Sequence, residues 1–274
     1  MPFDLAAGQD ARDPGALGLA LAGMECDHLI AGAALCGGVR YMHALPYDIL
    51  SQNLLISAAT MDAAIQAHLH GVLQKVTVIS SSMVYENCDD WPFREDEVPG
   101  RIPPPWTAYG LSKLAGEYLA TAALEQYDLP YTIVRLFNCT GPGDRDHVIT
   151  DLTRKVVAGE DPLHILGDGT QVRCFTWAED IAEGIVTAME HPAALNEAFN
   201  IASPHAVTIQ ELAETIWRKV RGDEPRIVHD EGIRHDVQRR IPSVEKARDV
   251  LGFKARTTLD EMLDRIIAWV RRTF

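Results

Sequence analysis

The amino-acid sequence predicts an α/β protein in which helices cover a parallel β-sheet. Apolar runs of strand length alternate with helical patterns through much of the 274-residue chain. This alternation is typical of parallel strands joined by crossover helices. After residue 140 the elements become shorter and more mixed, which indicates a second, smaller α/β domain. The length is ample for a substantial core.

Strands are predicted where short apolar runs end at glycine or polar clusters, and helices where apolar residues recur at helical spacing. Asp13-Pro14 is typical of a helix start, so we interpret Gly15, Gly18 and Gly23 as small residues of that helix and not as a phosphate loop. Residues 86–106 are predicted as a loop because their prolines lack the amide hydrogen that the hydrogen bonds of a helix or a sheet require. The elements of this part are strands 3–7 and 27–34 around a helix 13–23, helix 46–71, strand 76–80, helix 108–126 and strand 131–136.

The second part of the chain is predicted to begin beyond Thr140-Gly141-Pro142-Gly143. We assign residues 1–140 to the first domain and 141–274 to the second, with parts near 172–203 returning to the first. Thr208 and Glu211 form a capping box that opens a helix. The elements are helix 148–159, strand 163–166, turn 167–169, helix 179–189, strand 198–201 and helices 208–221, 244–251 and 259–270.

Composition excludes several classes of partner. Acidic residues number 39 against 25 basic ones, a net charge of −14, which disfavours nucleic acid and anionic membrane surfaces. The five cysteines share no CxxC spacing, which indicates free thiols and no metal site. No run approaches the ~20 apolar residues of a membrane helix, and the first residues do not resemble a leader. We therefore expect a soluble cytoplasmic protein.

Three residues form a candidate catalytic set. Tyr109 and Lys113 stand four apart at the start of a helical pattern, and Ser81 lies in a serine triplet that ends a predicted strand. A phenol has an ordinary pKa of about 10, and an ammonium one helical turn away is expected to lower it. The Ser81 hydroxyl can share the same substrate oxygen. The set is therefore predicted to move a proton on or off an alcohol or sugar hydroxyl.

Such proton transfer implies hydride chemistry, which requires a cofactor because no side chain carries a hydride reversibly. The usual dinucleotide fingerprint is a strand, a glycine-rich turn and a helix, followed by an acid about 20 residues later. The sequence contains no such segment.

Several motifs in register extend the catalytic set: Ser81, Tyr109-x-x-x-Lys113, Arg135-Leu136-Phe137-Asn138, Gly141-Pro142-Gly143, residues 167–173 (GDGTQVR) and Leu251-Gly252-Phe253. Their order and spacing resemble those of the extended short-chain dehydrogenase/reductases that act on nucleotide sugars. The resemblance implies a Rossmann-type sheet, NAD or NADP as cofactor and a nucleotide-diphosphate sugar as substrate. It also implies a homodimer through a four-helix interface built from helices 46–71 and 108–126.

The same resemblance implies roles for individual residues. Ser81, Tyr109 and Lys113 are implied as the catalytic residues. The implied cofactor contacts are Asp10 at the adenine, Ala31 and Ala33 beneath the cofactor, and Tyr109, Lys113 and Leu136. The implied substrate contacts are Ser82, Met83 and Asn138 at the sugar or its phosphate, Arg173 at the diphosphate, and Arg239 or Arg240 as a second cation.

The glycine-rich turn and first two strands of the family precede the segment that begins at Phe3, so the resemblance implies an N-terminally incomplete sheet. A sheet without its central strand exposes unpaired edges. We therefore expect that the start codon was assigned too far downstream or that the chain is a fragment. We prefer these two explanations to a true loss of the usual NAD site.

The residues after Ser81 bear on the reaction. Dehydratases of the resembled family place Asp-Glu there, decarboxylating relatives a glutamate and 3,5-epimerase relatives a cysteine, whereas this chain has Ser82 and Met83. The minimal set suffices for a 4-epimerase that oxidises carbon 4 transiently. A nucleotide-sugar ketoreductase and a catalytically silent nucleotide-sugar-binding homologue remain open, while an RNA-binding relative fits poorly with the net charge. His28, His43 and His147 are assigned structural or surface roles.

Overall fold

A computed structural model describes residues 8–24, 26–98, 100–101, 103–144, 147–232 and 237–274. The described helices are α1 (Pro14–Ala22), α2 (Val39–Ala44), α3 (Pro46–Leu69), α4 (Ala108–Tyr127), α5 (Val148–Val157), α6 (Ala178–Glu190), α7 (Ile209–Arg221), α8 (Glu245–Leu251) and α9 (Leu259–Thr273). The described strands are β1 (His28–Ala31), β2 (Lys75–Ser81), β3 (Tyr131–Leu136), β4 (Cys139–Thr140), β5 (Leu163–Leu166), β6 (Val172–Cys174), β7 (Thr176–Trp177), β8 (Glu197–Ile201), β9 (Ala206–Thr208), β10 (Ile227–Asp230) and β11 (Arg239–Arg240).

The main sheet confirms the predicted α/β class. Its strands run parallel in the order β1-β2-β3-β8. Alternation sends Ile133 into the core under α1, α3 and α4, and Val134 into the core under α6 and α8. Both faces of the sheet are therefore covered, which explains why these strands read as mostly apolar runs.

The second half of the chain builds a separate apolar core from α5, α7 and α9 around Trp217. Three small sheets border it, with orders β10-β5, β11-β6-β9 and β4-β7. Strand β8 joins the main sheet beside β3, and α6 packs on that sheet. The division at residue 140 itself stays a prediction.

Several boundaries differ from the sequence-based expectations. Strand 27–34 is shorter, and α2 and strands β4, β6, β7, β9, β10 and β11 were not predicted, because elements of two to six residues carry too little periodicity. The predicted strand 3–7 lies outside the described residues. In the part of the chain that the structure describes, no helix is long and apolar enough to cross a membrane. Within the same ranges no group of three or more side chains could hold a metal ion.

Candidate active site

Ser81 lies at the carboxyl end of β2, opposite Leu136 of β3. The chain then enters a 3₁₀ turn over Ser82–Tyr85, and the Ser81 Oγ accepts a hydrogen bond from the Met83 amide at 3.2 Å. This bond caps the turn and holds the serine at the edge of the sheet where the carboxyl ends of the strands meet, the usual ligand side of a parallel sheet.

The start of α4 is tied to this turn by a second cap. The Thr107 Oγ1 accepts from the Gly110 amide at 3.1 Å. The Glu86 carboxylate in turn accepts from the Thr107 amide at 2.9 Å and from its hydroxyl at 3.0 Å. Because Glu86 directly follows the 3₁₀ turn, these bonds fix the beginning of α4 next to the end of β2.

Gly110 allows the two segments to approach closely. A Cβ at this position would lie 2.7 Å from the Met83 carbonyl oxygen and 2.7 Å from the Pro105 Cβ. Any larger residue would push the helix start away from the turn. The glycine between Tyr109 and Leu111 therefore brings the phenol to Ser81.

The structure brings the three predicted catalytic residues together. The Ser81 hydroxyl lies near enough to the Tyr109 phenol to lower its pKa, and the Lys113 ammonium lies 5.7 Å from the Tyr109 ring centroid. Lys113 donates to the Ile79 carbonyl oxygen at 2.9 Å. Both helix residues thus face the end of β2.

The electrostatics differ from the prediction that Lys113 lowers the pKa of Tyr109. Burial raises the pKa of the phenol, and the charge of Arg240 and the Ser81 hydrogen bond oppose this only in part. Burial also lowers the pKa of Lys113 to about 8. The net shift of the Tyr109 pKa is upward and opposite to the predicted one, because burial of the phenol outweighs the contributions that favour its ionised form.

The implied cofactor residues Ala31 and Ala33 line a cavity of about 30 Å³ together with Lys113 and residues of α3 and α4. Leu136 lies at the end of β3, two strands away from β1. These four residues therefore border the same edge of the sheet.

Asn53 of α3 holds the segment that follows Ala33, and sequence reasoning missed it. Its amide oxygen accepts from the Leu35 amide at 2.6 Å, and its amide nitrogen donates to the Leu35 carbonyl oxygen at 3.0 Å. The same nitrogen contacts the Ser112 Oγ at 3.2 Å, and Ser112 donates to the Tyr109 carbonyl oxygen at 2.8 Å. A polar residue inside an apolar helical pattern was the available signal.

Asp10 lies in an ion pair with Arg12, whose Nε donates to both carboxylate oxygens at 2.8 and 3.0 Å. Hydrogen bonds from Arg12 lower the pKa of Asp10 to about 2. Asp10 is thus a carboxylate that already has a partner, and its contact with an adenine stays a prediction.

Ser82 and Met83 are buried in the turn after Ser81.

The implied substrate cations occupy one small sheet. Arg173 and Arg240 stand opposite each other in the parallel pair of β6 and β11, so their side chains share a face. Arg240 acts electrostatically on Tyr109. Arg239 points the other way and lies over the Trp91 ring at 4.6 Å. The geometry therefore favours Arg240 over Arg239 as a cation for the site.

Asn138 follows β3 with a left-handed backbone, φ 20°. Its carbonyl oxygen accepts from the Thr176 amide at 3.1 Å. Its side-chain Oδ1 is buried without a hydrogen-bond partner among the described residues. A buried acceptor of this kind usually has a ligand or water as partner.

A buried polar network lies behind the catalytic set and was not predicted. Arg135 and Glu117 form a bidentate ion pair with Nε–Oε1 and Nη2–Oε2 distances of 2.9 and 2.8 Å. The Arg135 Nη1 also donates to the Tyr85 hydroxyl at 2.7 Å, and this hydroxyl donates to Asn200 Oδ1 at 2.9 Å. An arginine within an apolar strand run was the signal for this network.

Comparisons with known proteins agree with this arrangement. A model described as the NAD dependent epimerase/dehydratase family matches residues 7–202. A putative GDP-L-fucose synthase 2 from Oryza sativa subsp. japonica is 30% identical over 85% of this chain and 68% of its own length. The structure of MoeE5 in complex with UDP-glucuronic acid and NAD is 32% identical, with a TM-score of 0.82 over 96% of this chain and 85% of that one. The UDP-glucose 4-epimerase of Thermotoga maritima, with UDP-glucose, is 26% identical, with a TM-score of 0.83 over 97% of this chain and 84% of that one.

Proposed function

Because the chain belongs to the NAD dependent epimerase/dehydratase family, we propose that it catalyses the 4-epimerisation of a nucleotide-diphosphate sugar. Its relatives modify nucleotide sugars and differ in reaction, so the choice of reaction rests on the residues of this chain. NAD is the cofactor of the family.

The observation that carries the proposal is the composition of the site around Ser81 and Tyr109. Ser81 and Lys113 both lie at Tyr109. The two residues after Ser81 are Ser82 and Met83, which offer no carboxylate or thiol. A site with one proton-transferring phenol suits a reaction that removes and returns one hydroxyl proton.

The residues at the sheet edge fit a dinucleotide at its nicotinamide end. Ala31, Ala33 and Lys113 line the same cavity at the carboxyl edge of the sheet. We propose that these residues, with Leu136 and Tyr109, hold the cofactor, and that Asp10 contacts the adenine. When bound, NAD supplies the acceptor and donor of the hydride.

We propose that Tyr109, as the phenolate, takes the proton from the 4-hydroxyl group of the sugar. Ser81 donates to the same oxygen and stabilises it as charge develops. We propose that positive charge at Arg240, and at Lys113 when it is protonated, favours the phenolate against the burial that raises the pKa of Tyr109. After the 4-keto sugar has turned and C4 has regained the hydride on its opposite face, the phenol returns the proton to the C4 oxygen.

We propose that the diphosphate binds between Arg173 and Arg240, because planar guanidinium groups suit phosphate oxygens. Arg173 is 7% exposed, and its Nη1 donates to the carbonyl oxygens of Val172 and Val237 at 2.9 and 2.7 Å. These bonds hold the side chain in a fixed orientation. Ser82, Met83 and the unsatisfied Oδ1 of Asn138 are proposed to contact the sugar or its phosphate.

We further propose a homodimer through α3 and α4. These helices pack against each other, and their outer faces expose large side chains, among them Tyr47 at 79%, Leu55 at 52% and Tyr118 at 51%. A second copy would cover this surface in a four-helix arrangement.

All five cysteines are free thiols, which supports residence in the cytoplasm.

The test is turnover of UDP-glucose and UDP-glucuronic acid by the purified chain with NAD, with the C4 epimer detected by NMR. We expect the epimer from at least one substrate, loss of turnover by at least about 1000-fold in Tyr109→Phe, and retained nucleotide-sugar binding by calorimetry. Tyr127→Phe is the matched control, because it makes the same change at the last residue of the same helix, 18 positions from Tyr109.

Other outcomes select the alternatives. Stoichiometric consumption of NADH or NADPH with a 4-keto nucleotide sugar, without epimer formation, would identify a ketoreductase. Nucleotide-sugar binding with no turnover of either kind would identify a catalytically silent homologue. Either result would reject the 4-epimerase proposal.

A further inference from the structure

Glu117 is a buried carboxylate that the mechanism above does not use. It lies on α4 one helical turn beyond Lys113 and is 3% exposed. Its Oε1 accepts hydrogen bonds from the Ser80 hydroxyl at 2.5 Å and from the Arg135 Nε at 2.9 Å. A carboxylate so far from water requires a structural or functional reason, because isolated buried charge is costly.

Arg135 holds this carboxylate in a fixed orientation. Besides its two bonds to Glu117, the guanidinium donates to the Tyr85 hydroxyl at 2.7 Å and to the carbonyl oxygens of Glu95 and Val98 at 2.9 and 3.2 Å. The arginine is 1% exposed. A planar fork with this many fixed partners has little freedom to rotate, so Glu117 has little freedom either.

The fixed carboxylate ties together the two segments that carry the catalytic residues. Ser80 directly precedes Ser81 on β2, and its hydroxyl reaches Glu117 on α4. One residue earlier on β2, the Ile79 carbonyl oxygen accepts from Lys113 of α4. Two neighbouring side-chain bonds therefore lock the end of β2 to α4.

The charge of Glu117 also reaches Lys113. Tyr109 and Glu117 face the ammonium from α4, and Cys36 faces it from the segment after β1. The α3 residues that line the adjoining cavity carry no charge. Burial lowers the pKa of Lys113, while Cys36 and Glu117 oppose this effect. Of the two opposing groups, only Glu117 is a carboxylate.

We propose that Glu117 is a positioning residue of the active site, which fixes β2 to α4 through Ser80 and stabilises the charged ammonium of Lys113. Arg135 keeps the carboxylate in place through its two hydrogen bonds. The inference rests on the proposed function, because it assigns the Lys113 charge a part in turnover. It adds a site residue that touches neither substrate nor cofactor.

The first experiment measures Lys113 directly and does not depend on activity. Lysine labelled with ¹³C at Cε is titrated by NMR in the full chain, and Lys113→Met assigns the resonance. In Glu117→Gln we expect the pKa of Lys113 to fall by about one unit, because a carboxylate near the ammonium is removed. Glu95→Gln is the matched control, since Glu95 is a second buried glutamate next to Arg135 but contacts the Asn200 amide.

A Lys113 pKa that is equal in Glu117→Gln and the wild type, or that shifts as much in Glu95→Gln, would overturn the charge assignment. If Glu117→Gln does not fold, the double variant Glu117→Gln/Arg135→Met removes both charges. That variant is expected to retain the fold, and the pKa of Lys113 should again fall below that in Glu95→Gln.

The second experiment tests the tie through Ser80. In Ser80→Ala we expect kcat to fall by about tenfold with KM unchanged, while the pKa of Lys113 stays as in the wild type. An unchanged kcat would overturn the positioning role. A wild-type chain that shows no turnover, together with the expected Lys113 shift in Glu117→Gln, would contradict the proposed function and support the charge assignment.

Discussion

The close approach at Gly110 makes the sharpest prediction, for the substitution Gly110→Ala. The added Cβ would stand 2.7 Å from the Met83 carbonyl oxygen and from the Pro105 Cβ, and 3.2 Å from the Glu86 Oε2. Neither of the two closest atoms is the end of a flexible side chain. The start of α4 must therefore move by about 0.7 Å to reach an ordinary contact distance near 3.4 Å.

The expected stability change follows from two opposing terms. Overpacking of this kind costs about 1–3 kcal/mol, and the better helix propensity of alanine offsets up to about 1 kcal/mol. A net loss of about 1–2 kcal/mol corresponds to a fall in Tm of about 2–4 °C per kcal/mol for a protein of this size. Because Tyr109 is the adjacent residue, we expect kcat to fall by about 10–100-fold.

Gly116→Ala is the matched control on the same helix. The nearest atom to its Cβ would be the Ser57 Oγ at 3.5 Å, an ordinary contact. This variant should gain up to about 1 kcal/mol and lose less activity than Gly110→Ala, because its Cβ meets only an ordinary contact. Thermal unfolding and the epimerase assay on both variants check the comparison. Equal effects of the two substitutions would refute the argument that close packing at Gly110 places the phenol.

Three further predictions concern buried polar groups. The pKa of Lys113 is about 8, below its ordinary 10.5, so the unfolded chain binds more protons between these values and stability rises with pH across that window. Urea unfolding should show that, from pH 8 to 10.5, the free energy of unfolding of the wild type rises by about 3 kcal/mol more than that of Lys113→Met. Parallel pH profiles of the two proteins would contradict this. Asn53→Ala removes the two hydrogen bonds to the Leu35 backbone and should lower the free energy of unfolding by about 1–3 kcal/mol in the same assay. A loss below the error of the measurement would argue against a stabilising role of these two bonds. Arg135→Met should cost about 3–5 kcal/mol because it leaves the Glu117 charge unpaired, whereas Glu117→Gln/Arg135→Met should recover most of the loss; a double variant no more stable than the single one would reject this account.

Local sequence signals predicted much of the main architecture. Strand β3 and strand β5 begin and end at the predicted residues, and α4 begins at Ala108 as predicted. These elements have strong periodicity or defined caps, such as Thr208 with Glu211 at α7. The catalytic spacing of Tyr109 and Lys113 was also readable, because two residues one helical turn apart share a face.

The short strands of the second half could not be predicted in the same way. Strand β11 is two residues long and pairs with β6, 67 positions away in the sequence. Such a strand has no periodicity of its own, and it forms only because the rest of the fold brings its partner near. The choice of Arg240 over Arg239 as the cation facing the site depends on that pairing.

The sequence by itself determined the parallel α/β class, the order of its main elements and the identity of Ser81, Tyr109 and Lys113, because these depend on residue spacing and local periodicity. Only the tertiary structure decided the shift in the pKa of Lys113, the close packing at Gly110 and the pairing of Glu117 with Arg135. Each of these depends on burial and on contacts between distant segments. Desolvation and close packing are properties of the folded interior, and no local pattern in the chain specifies them.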